Sequence, residues 1–380
     1  MIISVPLRRG VTFAALAAAA LLAGCGPSRA ELEAQAAAAS AAAAAAALAN
    51  APPPVELNES VAQSASVYVD FIRDIRTIHG GFADAASIQD AIRKGAAYQP
   101  EQLSRGMIAY ASILALQSPE FVAGVRTYAT DRAQRQEVIA QIVKDPAYAA
   151  QLPGADAAAG LIIATLGMEI DALNGIADGV EQDAYTIQER GDPRRAWAVV
   201  HIADREARLE GAKALTAAPM LPSADVSARL FEAANTGTGL GLTAARRAPP
   251  YTPAVVNALA IAALASLGAA GDNARANTDA LQIEQSSEFC LNISKLNFFQ
   301  CLAASRPSYE DMFCVGRHVV RDLASCASGS VKPAPVISIS DPVAGPTVSV
   351  PIATTTSPAS TAPAASTTAA LNATAQTPAN

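Results

Sequence analysis

Apolar residues recur every three or four positions between Val55 and Ser330, and they almost never alternate at every second position. This spacing is typical of amphipathic α-helices. The clearest stripe comprises Ile162, Leu166, Ile170, Leu173, Ile176, Val180, Ala184 and Ile187. The pattern predicts helices over 57–79, 84–97, 101–117, 119–145, 155–190, 193–217, 223–235, 253–284, 287–303 and 308–326.

Residues at the helix boundaries support this pattern. Ser118 and Thr252 each precede a proline, as an N-cap residue does before proline in the first helical turn. We therefore expect an all-α fold, a multi-helix bundle of antiparallel hairpins. The segment Ala254–Ala270 is almost wholly apolar but only 17 residues long, so we expect a buried central helix rather than a membrane span.

The first 24 residues form a separate segment. A short basic stretch is followed by an apolar run, Val11–Leu22, that is too short to span a bilayer. The run ends in Leu22-Ala23-Gly24-Cys25, which resembles the lipobox of bacterial lipoproteins. The resemblance implies cleavage before Cys25 and lipid attachment to its sulfur. An ordinary secretory signal is the alternative.

The same resemblance implies a cell-envelope location. Gly26 stands where an inner-membrane retention signal would resemble Asp, so we expect an outer-membrane anchor with the body facing the periplasm. Inner-membrane anchoring and surface exposure remain open. Several acyl chains on one residue give stable anchoring, which a single chain does not.

Composition suggests the organisation of the rest of the chain. We expect a signal peptide over 1–24, an Ala/Pro-rich tether over 25–54, a helical bundle over 55–285, a disulfide-stapled helical hairpin packed on the bundle over 286–330, and a disordered tail over 331–380. The tail is rich in Pro, Ala, Ser and Thr and carries only Lys332 and Asp341 as charged residues.

Four cysteines remain once Cys25 is assigned to lipid. Facing residues of an antiparallel hairpin have position numbers with a constant sum, which is 615 for Cys301 and Cys314 and 616 for Cys290 and Cys326. The sequence therefore predicts two disulfides, Cys301–Cys314 and Cys290–Cys326, across a hairpin that turns at Pro307. The twelve-residue step from Cys314 to Cys326 requires a distorted helix end, because an α-helix returns to the same face after eleven residues.

A metal site is the alternative use of these cysteines. Cys314 and His318 lie one helical turn apart and Cys301 would join them, but the spacing matches no recognised zinc motif. An oxidising compartment favours disulfides.

Charge excludes one class of partner. The chain has 27 Lys and Arg against 34 Asp and Glu, a net charge of −7, without a basic cluster. Phosphate contacts need clustered cations, so we expect no nucleic-acid binding.

Glu169 is the one candidate catalytic residue. It falls within the apolar stripe, between Leu166 and Ile170. A buried carboxyl group has either a partner or a raised pKa, so it could serve as an acid catalyst. An ion pair with an arginine from a neighbouring helix is the commoner explanation.

His201, Glu181 and Asp204 are candidates for a metal site. If helices 155–190 and 193–217 form a hairpin, Glu181 faces His201, and Asp178 faces Asp204. The alternative is a solvated charged face on which Arg205 pairs with Asp178.

Two further features have a structural and a functional interpretation. Trp197, the only tryptophan, is either a packed anchor or a weak candidate for a binding patch with Arg194 and Arg195. The loop Gly237–Gly241 resembles a phosphate-binding glycine run, but a helix precedes it, which favours a linker.

These observations favour a non-catalytic envelope lipoprotein that acts as a helical interaction or scaffold module. We expect membrane attachment through the N-terminal lipid, an envelope protein as partner, and no cofactor. The alternatives are a cell-wall-acting enzyme that uses Glu169, or a carrier of a small apolar ligand between alanine-rich helices.

Overall fold

The computed structural model describes residues 28–49, 51–190 and 192–333. The signal segment, Cys25 and the tail from residue 334 onward lie outside the described residues. Within the described ranges the chain is helical, with no β-strand and only two isolated β-bridges, which confirms the all-α prediction.

Fourteen α-helices occur in the described ranges. They are α1 (Arg29–Ala49), α2 (Glu59–Ile75), α3 (Ala85–Ala96), α4 (Pro100–Leu116), α5 (Pro119–Arg126), α6 (Arg132–Lys144), α7 (Ala155–Arg190), α8 (Arg205–Ala217), α9 (Ala224–Thr236), α10 (Pro253–Ser266), α11 (Arg275–Asp279), α12 (Gln285–Ala304), α13 (Ser308–Val315) and α14 (Asp322–Val331). Short 3₁₀ turns and one π-helical segment, Gly316–Arg321, connect some of them.

Three of the long predicted helices are interrupted. The helix over 119–145 divides where Asp131 accepts a hydrogen bond from the Gln134 amide and starts α6. The helix over 193–217 begins as a 3₁₀ segment, and α8 starts only at Arg205. The helix over 253–284 ends at Ser266, and Gly268 then adopts a φ of +70°, a left-handed conformation that glycine permits.

The first helix of the body is shorter than the predicted 57–79. Leu57 pairs with Ala270 in a β-bridge, and Asn58 is the N-cap of α2. The Asn58 amide also donates hydrogen bonds to the Ala270 carbonyl and the Thr278 hydroxyl. These bonds hold the start of α2 against the segment that follows α10.

Helix α10 lies at the centre of the body and is almost wholly buried, as predicted for Ala254–Ala270. It packs against α4, which packs in turn along α2. Gly106 of α4 allows the close approach of α2, because a Cβ atom there would lie 2.5 Å from the Ser64 carbonyl oxygen.

The long helix α7 buries most of its apolar stripe, with Ala177 in place of the half-buried Ile176. Among the described residues, Ala155–Glu189 is the one single helix long and apolar enough to cross a membrane. A bent pair, Pro100–Leu116 with Pro119–Ala129, also passes this test when its helices are taken together. Only 39% of the 18-residue apolar stretch of α7 that passes this test is buried.

The first and last segments of the body contact opposite ends of α10. On one side, the Arg126 guanidinium donates to the Pro53 carbonyl, and Pro53 packs on Gly268 just beyond the C-terminus of α10. On the other, the hydroxyl of Thr252, the N-cap of α10, donates to the Ser330 carbonyl near the end of α14. The segment around Pro53, predicted as part of a tether, is therefore packed against the body.

Helices α12, α13 and α14 form the stapled hairpin. Both predicted cysteine pairs are at disulfide distance, each with its Cα atoms 5.6 Å apart. The hairpin contributes Phe298, Met312 and Val319 to the same core cluster as α2, α4 and α7.

The twelve-residue step from Cys314 to Cys326 was predicted to need a distorted helix end. The distortion is instead the π-helical segment, which lies between the two cysteines. A π turn accommodates one extra residue, so twelve residues from Cys314 to Cys326 cover the rotation of eleven. Buried residues recur about every four positions across the π segment: Met312, Gly316, Val320, Ala324 and Ala327. The Ser294 hydroxyl donates to the His318 carbonyl within this segment.

A buried ion pair fixes the turn of the hairpin. Arg208 of α8 binds Asp311 of α13, and their side chains are 5% and 0% exposed. The Ser305 hydroxyl donates to the same carboxylate, at 2.6 Å. Arg208 also donates to the Leu302 carbonyl, and Arg205 to the carbonyls of Ala303 and Ser305, so α8 caps the C-terminal end of α12.

We expect Asp311→Ala to lower the free energy of unfolding by about 3–5 kcal/mol, because Arg208 would stay buried without its partner. Asp178→Ala is the matched control, since Asp178 pairs with Arg321 but is 71% exposed, and its loss should stay below about 1 kcal/mol. Urea titration at neutral pH measures both. Equal losses would contradict a special role for the buried pair.

Deletion of Arg317, an exposed residue of the π segment, should convert that turn to α-helix and keep both disulfides. The reason is that eleven residues would then separate Cys314 and Cys326, as between Cys290 and Cys301. Deletion of the exposed Gln300 from α12 is the control, because it rotates Cys301 away from Cys290 by about 100°. Peptide mapping under non-reducing conditions should show two native pairs in the first variant only.

Candidate functional site

The strongest candidate for chemistry is Glu169, on α7, with two tyrosines from the bundle. The Tyr68 hydroxyl of α2 donates a hydrogen bond to Glu169 Oε2 at 3.0 Å. The rings of Tyr68 and Tyr110 of α4 lie 5.8 Å apart, centroid to centroid. The predicted partner, an arginine in an ion pair, is replaced here by the phenol of Tyr68.

Burial raises the pKa of the Glu169 carboxyl to about 7, against the hydrogen bond from Tyr68 and the positive charge of Arg76, which lower it. Burial and the neighbouring carboxylate likewise raise the pKa of Tyr68, so the phenol stays protonated. A carboxyl group with a pKa near 7 can both hold and release a proton at neutral pH. Proton transfer at neutral pH is therefore the chemistry that this site can support.

The metal-site candidates His201, Glu181 and Asp204 do not come together. Glu181 and Asp178 both bind Arg321, at 3.1 Å for Glu181 Oε1 and 2.5 Å for Asp178 Oδ1. His201 forms a β-bridge with Pro307 instead. The chain is not helical between Val200 and Asp204, so the predicted hairpin register fails there. The described residues contain no group of three or more His, Cys, Asp or Glu side chains that could hold a metal ion.

The other sequence candidates have structural contacts. Arg205 caps α12 rather than pairing with Asp178. Trp197 is half-buried against the core, while Arg195 beside it binds Asp183. His318, the alternative metal ligand, lies 3.1 Å from the Asp322 carboxylate, and both cysteines proposed with it are in a disulfide.

The glycine loop Gly237–Gly241 has the geometry of a connection. Gly237, with a φ of +69°, ends α9, and Gly239 and Gly241 also have positive φ values. A segment without regular secondary structure follows and leads to α10. The structure thus lacks the strand-to-helix arrangement of a phosphate-binding loop at this position.

Sequence reasoning also missed Lys295, a buried lysine. It is 5% exposed, and its Nζ lies 3.9 Å from the centroid of the Tyr98 ring, without a hydrogen-bond partner among the residues that the structure describes. Burial lowers its pKa to about 7. A signal existed, because Lys295 shares a helical face with Leu291 and Phe298.

The sequence also did not predict which face of α12 is buried. Its outward face carries Phe289, Ile293 and Leu296, which are 68%, 40% and 54% exposed. Apolar residues therefore lie on both sides of α12, and the spacing alone does not select the buried face.

No family model matches the chain, and no match was found among curated proteins or among solved structures.

The free energy of unfolding should fall as pH rises through the pKa of Glu169. The folded-state pKa, about 7, lies above the ordinary value of 4.5, so this stabilisation is complete below pH 4.5 and is lost as pH rises through 7. We expect a loss of about 2–3 kcal/mol between these limits. Glu169→Gln should remove this dependence. Matching pH profiles of the two proteins in urea titrations would contradict the assignment.

Proposed function

We propose that this chain is a non-catalytic lipoprotein of the cell envelope that holds a helical interaction module at the outer membrane. The observation that carries the proposal is the apolar face of α12 formed by Phe289, Ile293 and Leu296. Large apolar side chains exposed side by side are typical of protein interaction sites. We call these three residues the α12 face.

The setting of the α12 face supports a binding role. Two disulfides and the Arg208–Asp311 ion pair hold the hairpin that carries it. A rigid surface loses little conformational entropy on binding, so more of the contact energy appears as affinity. The partner we propose is an envelope protein with a complementary apolar surface.

The membrane anchor rests on the resemblance of Leu22–Cys25 to a lipobox. Helix α1 follows it, with 21 residues, and its side chains are exposed wherever they are described. A helix of that length extends about 31 Å. It therefore suits the role of a spacer between a lipidated cysteine and the body.

The anchor is tested by substitution at the lipobox. Cys25→Ala should abolish labelling by a radioactive fatty acid and move the protein from the membrane to the soluble fraction. Gly26→Asp is the matched control, since it should keep the label but shift the protein to the inner membrane on a density gradient. A wild-type protein that takes up no label would refute the anchor.

The partner is tested by crosslinking intact envelopes and purifying the native lipidated protein. A discrete complex should form with the wild type and be lost in Phe289→Asp. Leu221→Asp is the control, because Leu221 is 80% exposed on the connection between α8 and α9, apart from the α12 face. A complex that survives Phe289→Asp would contradict the proposed surface.

A cell-wall-acting enzyme is the second candidate, and the pKa of Glu169 near 7 is the observation that favours it. Recovery of peptidoglycan without protein in the crosslinking experiment would support this alternative. Glu169→Gln with unchanged stability and an unchanged cell-envelope phenotype would eliminate it.

The carrier alternative has less support. The cavity lined by Tyr68, Ser104, Leu291 and Ala327 has about 10 Å³ of free space, enough for roughly one water molecule. Native mass spectrometry without detergent would reveal a retained lipid mass if the interior opens to hold one.

A further inference from the structure

An open groove of about 340 Å³ runs between α12 and α14. Its walls combine apolar and polar side chains, and the Cys290–Cys326 disulfide forms part of its lining. The lining residues are Phe289, Cys290, Ile293, Ser294, Asn297, Asp322, Ser325 and Cys326. A reagent that enters the groove therefore meets a disulfide directly.

The two cysteine residues of this disulfide differ in exposure. Cys290 is half-buried and follows Phe289, the most exposed residue of the α12 face. Cys326 is only 5% exposed. Thiol–disulfide exchange needs access to one sulfur, along the line of the S–S bond, and Cys290 offers that access.

The inner disulfide has a different setting. Cys301 is half-buried, as Cys290 is, but its partner Cys314 is fully buried, and the turn between them is fixed by the Arg208–Asp311 ion pair and by Ser305. If this bond opened, the two sulfurs would stay close together, so it would close again quickly. Its loop is also the shorter, with a sequence separation of 13 against 36 for the outer bond.

We propose that Cys290–Cys326 is a thiol–disulfide exchange site that reacts with external dithiols, while Cys301–Cys314 remains closed. The proposal concerns the groove itself and does not depend on the identity of the protein partner. The reactant is a dithiol, either a small molecule or a protein with a paired-cysteine motif.

The reaction balances as a two-electron transfer. A thiolate of the dithiol attacks Sγ of Cys290, forms a mixed disulfide, and expels Cys326 as a thiolate, which takes a proton from water. The second thiol of the reagent, as its thiolate, then attacks the mixed disulfide. Cys290 leaves as a thiolate and is protonated, and the dithiol departs as a disulfide. The protein is reduced and the dithiol oxidised.

The test uses the full-length oxidised protein and graded concentrations of dithiothreitol. Acid stops the exchange, a maleimide labels the free thiols, and peptide mass spectrometry locates the labels. We expect labels on Cys290 and Cys326 at concentrations that leave Cys301 and Cys314 unlabelled. Opening of the inner pair first, or of both pairs together, would overturn the proposal.

A second arm identifies the attacked sulfur. With Cys326→Ser, the remaining Cys290 thiol should form a mixed disulfide with oxidised glutathione at least about tenfold faster than the equally half-buried Cys301 does in Cys314→Ser. Equal rates would contradict selective access. The wild-type titration needs neither variant, so it decides the question even if one of them folds poorly.

A third arm distinguishes the two sources of the dithiol. Thioredoxin replaces dithiothreitol at the same thiol concentration. Faster opening of the outer pair by thioredoxin supports exchange with a protein in the groove, whereas opening by dithiothreitol alone supports exchange with small thiols. Resistance of Cys290–Cys326 to both reagents would refute the site.

Discussion

The ion pair between Arg208 and Asp311 is the contact on which the C-terminal half of the body depends. It joins α8 to α13, and the same arginine caps α12 through the Leu302 carbonyl. Two charges removed from water are stable only when both are present and further hydrogen bonds complete their coordination. Ser305 supplies one of these bonds. The hairpin therefore has one defined position on the bundle, and both disulfides form within that arrangement.

Helix α12 has an orientation that its own side chains do not select, because both of its faces carry large apolar residues. Lys295 is buried over Tyr98, while Phe289 and Leu296 lie in solvent. Burial of an amine that bears no hydrogen bond costs free energy, as its lowered pKa indicates. The disulfides and the ion pair at the turn offset this cost, because they bind α12 to its neighbours independently of which face is apolar. A binding surface and a stable fold thus coexist on one helix.

Local patterns in the sequence predict most of the fold. The helices follow from apolar spacing, and the disulfide pairing follows from the positions of four cysteines about one turn. Contacts between distant segments were less accessible. The phenol that binds Glu169 comes from Tyr68, 101 positions away, and no periodicity identifies it. The predicted approach of His201 to Glu181 failed because it assumed an unbroken helix after Gly191. The π segment had a readable signal in the twelve-residue cysteine step, although its place within the helix was not apparent.

The arrangement around α10 has a mechanical consequence. Pro53, where the chain joins the body, packs beyond the C-terminus of α10, and Ser330, near where it leaves, binds the N-cap. The helix and its caps therefore extend about 24 Å between the two points of attachment. A pulling force applied between the ends of the body would act along α10, whose residues are surrounded by other helices. Force would be transmitted through the centre of the molecule.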